Sequence, residues 1–164
     1  GGNTLRTDNP ILTTRGLKNP EPLRVIFTKT LDLPSKSSLW DCNTAKTLVI
    51  YDSSTANESY LTRIPKSVEI EKVSSDNPEL ISKILAKRGC NKVLWECGPK
   101  LATAAIKSNC IQEIITFISP KILGGENCMS PFGDFEFKEM DEIIKLSHTR
   151  VSLIGNDICI KSSL

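Results

Sequence analysis

Apolar positions in this chain fall into short runs separated by polar stretches, and the runs carry two different periods. Arg24–Thr28 (RVIFT) and Thr47–Tyr51 (TLVIY) are near-continuous and β-branched, which predicts buried strands. Ser67–Val73 alternates apolar and charged residues, as a strand near a sheet edge does. The period then changes. Leu80, Ile81, Ile84 and Leu85 share one face of a helix over Pro78–Arg88. Asp76 or Asn77 can cap that helix, Pro78 suits its first turn, and Gly89 can end it. A shorter helix is expected over Thr55–Arg63, stopped by Pro65.

Downstream the pattern predicts a strand at Lys92–Trp95, a helix from about Lys100 to Lys107, and a strand at Glu113–Ile118. The last third reads as antiparallel. It offers strands at Asp134–Phe137 and Ile143–Leu146, then a hairpin over Val151–Ile160 that turns at Gly155-Asn156-Asp157. The first 15 residues read as a polar loop with a turn at Asp8-Asn9-Pro10. Strand–helix–strand–helix–strand order between residues 47 and 118 predicts a mostly parallel sheet covered by helices, with the antiparallel end adding strands. The expected class is a three-layer α/β domain, a single unit over residues 1–164.

Composition narrows the function classes. A formal charge of +2, from 21 Lys+Arg against 19 Asp+Glu, supplies no basic field for nucleic acid. No run approaches the roughly 20 apolar residues of a membrane-spanning helix, so no membrane partner is expected. The start carries no signal-peptide pattern. Cys42, Cys90, Cys97, Cys110, Cys128 and Cys159 are widely spaced and form no CxxC, which argues against a structural zinc and any other metal. An even count permits disulfides. A chain large enough to build a core points instead to reduced thiols and a cytoplasmic protein. His148 is the sole histidine and sits in an ordinary strand or loop context, so a Ser–His–Asp centre finds little support. No zinc-deaminase signature is present.

Two segments carry candidate chemistry. At Glu96-Cys97-Gly98-Pro99 a strand gives way to a helix. Free N–H groups at such a helix start favour a phosphate, and the small residues of Gly98–Ala104 let one approach; a plain turn is the competing reading. The segment is neither a GxGxxG fingerprint nor a P-loop. Glu96 stands where open α/β sheets meet ligands, or is a solvated strand end. In the first segment, Arg15 offers a forked cation suited to phosphate, and Asp8 can accept from hydroxyls or share a proton. The bland alternative there is an exposed polar loop.

Three motifs change the picture. Thr4-x3-Asp8-Asn9-Pro10-x-Leu12-Thr13-x-Arg15, Trp95-Glu96-x-Gly98-Pro99-x-Leu101-Ala102 and Ile118-Ser119-Pro120-Lys121-Ile122-Leu123-Gly124-Gly125 occur together. In order and spacing they resemble the reductase half of the bifunctional riboflavin-biosynthesis deaminase–reductases (RibD-type), and the similarity runs through essentially the whole chain. The resemblance implies a dihydrofolate-reductase-like mixed sheet flanked by helices. It also implies NADPH-dependent reduction of 5-amino-6-(5-phosphoribosylamino)uracil to the ribitylamino product. On that basis Thr4 and Asp8 border the nicotinamide and ribose, and Asp8 is the polar organiser nearest the reacting atoms. Leu12, Arg15 and Glu96 face the substrate, with Arg15 at its phosphate. Gly98, Pro99, Lys100, Leu101, Ala102, Thr103 and Ala104 hold the cofactor. The resemblance further implies a homodimer and admits an upstream deaminase domain.

The chain departs from the family pattern twice. Family domains begin earlier, with a central strand, so the expectation is a domain lacking its leading strand. After the first strand many members have Asp-Ser where this chain has Thr28-Lys29; Lys29 is either an attractor for the extra phosphate of NADPH or an exposed lysine. Two alternatives stay open: a related reductase of another pterin or pyrimidine, and a non-catalytic structural or dimerising domain.

Overall fold

Strands β1 (Arg24–Thr28), β2 (Thr47–Asp52) and β3 (Glu69–Val73) pair in parallel in that order. The computed structural model describes residues 1–125 and 130–164; Cys128 lies outside the described residues. Every residue of β2 is buried, which is what a strand covered on both faces requires. Alternation along β2 sorts its side chains into two cores. Val49 and Tyr51 join Leu5, Ile26, Leu31, Leu33, Leu39, Trp40, Ile64 and Val68 on one face. Leu48 and Ile50 join Phe27, Val73, Ile81 and Leu85 on the other.

Helix α2 (Pro78–Lys87) covers the second face through Ile81 and Leu85. Its cap is Asn77, whose Oδ1 accepts from the Glu79 amide at 2.9 Å. Arg88, just past its end, donates to Glu69 at 2.6 Å and Glu71 at 2.8 Å on β3. The first face is covered by α1 (Gly2–Asp8), by the loop after β1, and by the 3-10 segment Glu58–Arg63.

Helix α3 (Pro99–Lys107) leads to β4 (Glu113–Ile118). A second sheet is antiparallel, in the order β4-β6-β5, with β5 at Ser147–Ile154 and β6 at Asp157–Ser163. The β5–β6 hairpin turns at Gly155-Asn156, where Gly155 has φ +61°. The fold is thus mixed α/β, with parallel and antiparallel parts as expected, and β3 lies at an edge.

Several local expectations do not hold. Residues 2–8 form a helix rather than a loop, because burying Leu5 in the first core offsets the weak intrinsic preference of so short a segment. Asn9 ends it in the left-handed region at φ +42°. Residues 92–95 pair with no strand among the described residues, and Leu94 is 81% exposed. Without a hydrogen-bonded neighbour an apolar run does not become a strand. The order of elements from 47 to 118 therefore does not yield one parallel sheet; β4 pairs with β6 instead. Residues 134–137 and 143–146 are likewise not strands. The first of these segments stacks Phe135 on Phe137, with centroids 5.2 Å apart, and leaves its backbone outside any ladder. The 55–63 helix shrinks to a 3-10 segment in which only Tyr60 and Leu61 pack, partly buried, on the first core, too small a face to sustain an α-helix.

Candidate functional site

The carboxyl ends of parallel strands are where open α/β sheets take ligands. Here those ends are Thr28-Lys29, Asp52-Ser53-Ser54 and Ser74-Ser75-Asp76. Helix α1 starts against them: a Cβ on Gly2 would lie 3.1 Å from Thr28 Oγ1. The same end meets α3, since a Cβ on Gly1 would lie 3.7 Å from Leu101 Cδ2. Seven helical residues carry the chain about 10 Å from that point. Asp8 closes the helix, and Asn9 anchors the loop beyond it by accepting from Ser37 Oγ and the Ser38 amide, both at 2.9 Å.

Helical spacing puts Gly1, Thr4 and Asp8 on one flank of α1. Thr4 is half-buried and Asp8 exposed. The flank runs from the Gly98–Leu101 turn to the loop bearing Leu12 and Arg15. The structure therefore sets the Gly98–Leu101 turn beside the start of α1 and the loop bearing Leu12 and Arg15 beyond its end, with the Thr4–Asp8 face between them. Leu12 packs against the first core. Arg15 is exposed, and its guanidinium makes no hydrogen bond or ion pair with a described residue. Glu96 is exposed beside the turn.

The turn itself has the features of an anion cradle. Gly98 caps α3 at φ −73°, ψ 171°, with no side chain capping the amides of the first turn. Pro99 has no N–H, so the amides of Lys100 and Leu101 lead. A Cβ on Gly98 would meet nothing within 4 Å. Neither its backbone angles nor its neighbours demand a glycine, and the space beside it is open. Leu101 and Trp95 pack on the second core and fix the turn. The Thr103 hydroxyl is buried and accepts from the Gly133 amide at 2.8 Å; it serves the fold. Burial pushes the Cys97 thiol up, which makes it a poor nucleophile at neutral pH. The five described cysteines are free thiols.

Lys29 forms an ion pair with Asp76 across the strand ends, both well exposed. Such a surface pair contributes about 0–1 kcal/mol and exchanges partners readily. A cleft of about 560 Å³ lies between β3 and α2, lined by Lys72, Val73, Leu80, Lys83, Ile84 and Lys87. Another, of about 320 Å³, is lined by Arg6, Asp32, Leu33, Pro34, Ser35 and Arg63, on the flank of α1 opposite Thr4 and Asp8. Neither includes a predicted site residue. Among the described residues no cluster of three His, Cys, Asp or Glu is placed to hold a metal, and no helix is long and apolar enough to cross a membrane.

Sequence reasoning missed the side chains that shape the site loop. Arg24 is 2% exposed, and its guanidinium donates to the carbonyls of Ile11, Ser38, Leu39, Asp41 and Ala45. Burial lowers its pKa, while Cys42, Asp41 and Glu21 raise it. A cation opening an otherwise apolar strand was the available signal. Glu21 accepts from the amides of Thr14 (2.6 Å) and Gly16 (3.3 Å). Nothing in Asn19-Pro20-Glu21-Pro22 announced that.

Fold and geometry define an α/β domain whose candidate site lies at its strand ends, spanned by α1. Residues 1–160 match the RibD C-terminal domain, and the chain belongs to that family. It is 39% identical over 158 residues to the riboflavin biosynthesis protein RibD of Synechocystis, covering 96% of this chain and 43% of that protein. It is 35% identical over 164 residues to the riboflavin biosynthesis protein PYRR, chloroplastic, of Arabidopsis thaliana, covering 100% and 27%. The chain thus spans less than half the length of these curated relatives. Among solved structures, Acinetobacter baumannii RibD superposes with a TM-score of 0.79 at 21% identity, over 98% of this chain and 44% of that one. A Thermotoga maritima diaminohydroxyphosphoribosylaminopyrimidine deaminase/5-amino-6-(5-phosphoribosylamino)uracil reductase gives 0.77 at 23%, over 99% and 43%. These neighbours share the fold.

Proposed function

We propose that this chain is the reductase part of a riboflavin-biosynthesis enzyme and reduces 5-amino-6-(5-phosphoribosylamino)uracil to its ribitylamino product with NADPH. The observation that carries the reading is the Gly98-Pro99 turn. It presents uncapped amides, has open space where a Cβ would stand, and abuts the helix that bears Thr4 and Asp8. A dinucleotide phosphate fits that turn, because the helix start favours anions and the glycine admits close approach. NADPH bound there supplies the hydride.

The chain's own residues bind and orient. The amides of Lys100 and Leu101 hold the phosphates, with Gly98, Pro99, Ala102 and Ala104 shaping the approach. Thr103 supports them through Gly133. Thr4 borders the nicotinamide and ribose. Asp8 accepts from polar groups near the reacting carbon and orients them. Arg15 takes the substrate phosphate, remote from the reaction, so its binding energy goes into positioning. Glu96 and Leu12 complete the substrate side.

The wider assignment is part of the proposal: an upstream deaminase domain, a homodimer, and a cytoplasmic site of action, with a plastid the alternative that the chloroplastic relatives supply. A test is NADPH titration by fluorescence, followed by consumption of NADPH with the phosphoribosylaminouracil. Saturable binding and substrate-dependent oxidation are expected. No binding would favour a non-catalytic domain. Turnover with non-phosphorylated pterins alone would favour another reductase.

A further inference from the structure

Arg15 has a backbone that L-residues seldom adopt, at φ +54°, followed by Gly16 at φ +82°. A non-glycine residue stays in the left-handed region only where its surroundings hold it there. The holder is visible. Glu21 places one carboxylate oxygen on the Thr14 amide and the other on the Gly16 amide, so the N–H groups of the residues before and after Arg15 are held by one side chain. Those bonds hold the Glu21 carboxyl below its ordinary pKa, the Thr14 amide chief among the causes. Thr13 Oγ1 accepts from the Arg15 amide at 3.3 Å, and Thr14 Oγ1 from the Lys18 amide at 3.1 Å. The turn is braced throughout its backbone. The Arg15 guanidinium, by contrast, has no partner among the described residues.

The Glu21 carboxylate is committed to amides, and among the described residues no acid pairs with the Arg15 guanidinium. Only a carboxylate can do this: a glutamine has one acceptor and would turn an NH2 group toward one of the two N–H donors. We infer that Glu21 is a positioning residue that presents Arg15 to the anionic group of the substrate, and so sets the preference for a phosphorylated over an unphosphorylated ligand. This rests on the reading of Arg15 as the phosphate-binding side chain.

The test uses the full chain of the enzyme and measures kcat and KM with the phosphorylated substrate and with its dephosphorylated counterpart. Glu21→Gln is expected to raise KM for the phosphorylated substrate about tenfold, as loss of a charge-assisted hydrogen bond implies, with kcat and the KM of the dephosphorylated substrate within about twofold. Arg15→Ala is expected to raise the same KM by at least as much, and E21Q added to it to change nothing further. Amide exchange at Thr14 and Gly16 should quicken in E21Q by more than its lower melting temperature accounts for. If R15A raises KM and E21Q does not, the inference falls and the reading of Arg15 stands. If R15A leaves KM unchanged, that reading falls and the inference with it. Additive effects in the double variant would show Glu21 acting independently of Arg15 and would overturn the inference.

Discussion

Replacing Arg24 with methionine tests whether one buried cation organises the loops around the site. Its Nη2 group donates to Leu39, Asp41 and Ala45 carbonyls at 3.0, 2.8 and 2.7 Å, and Nη1 reaches Ile11 and Ser38 at 3.4 Å each. Methionine fills similar space and supplies no donor. The Leu39 carbonyl keeps one partner, the Thr47 hydroxyl at 2.6 Å, so part of its loss is covered. The Ala45 carbonyl is left buried and unpaired, at a cost of about 1–3 kcal/mol. Adding the lost charge-assisted bonds to Asp41 and Leu39 brings the expected destabilisation to about 3 kcal/mol, at the lower end of what breaking a buried charged network costs. For a chain of this size that is a fall of about 6–12 °C in melting temperature. Thermal unfolding by circular dichroism at neutral pH measures it. Arg24→Lys, which keeps the charge with fewer and shorter-reaching donors, should fall between wild type and R24M. A drop under about 2 °C in R24M would mean the carbonyls find water or other partners, and would refute Arg24 as the organiser of residues 9–12 and 38–45.

Other outcomes follow from the same geometry. Gly98→Ala meets no atom of the chain within 4 Å, so it should leave the melting temperature unchanged and weaken NADPH binding in a fluorescence titration; unchanged affinity would remove the turn from the cofactor site. Asp8→Asn should lower kcat with little effect on folding, read from steady-state kinetics, and full activity would remove Asp8 from the reaction. Asn77→Ala deletes the cap on α2 and should cost about 1 kcal/mol in chemical denaturation. Glu21 and Asp52 both sit below the ordinary carboxylate pKa, Glu21 chiefly through the Thr14 amide and Asp52 chiefly through the Ser54 hydroxyl. Their contribution to stability is present above the unfolded-state pKa, about 4, and is lost as pH falls through the lower folded value. Melting temperatures taken from neutral to acid should therefore fall below about pH 4, with the gap between wild type and E21Q closing; a constant gap would contradict the bond assignment.

Much of this protein was legible before any coordinates. β1, β2, β3, α2, α3, β4 and the terminal hairpin come from local pattern: continuous β-branched runs, a helical stripe with Asn77 and Gly89 at its ends, and a Gly-Asn turn. The family was legible too, because Asp8-Asn9-Pro10, Glu96-x-Gly98-Pro99 and Pro120-Lys121 keep their spacing whatever the backbone does between them. Tertiary structure decided what depends on partners distant in the chain. Residues 2–8 become helical because Leu5 finds a core built by β1, β2 and the loop at 31–40. Residues 92–95 have a strand's composition and no described strand beside them, so composition alone does not make a ladder. The partners of Glu21 and Arg24 are set only when the fold brings backbone amides and carbonyls onto them. Local preference is encoded within a few residues, whereas the hydrogen-bonding partner of a buried charge or an apolar run is chosen by the whole packed chain.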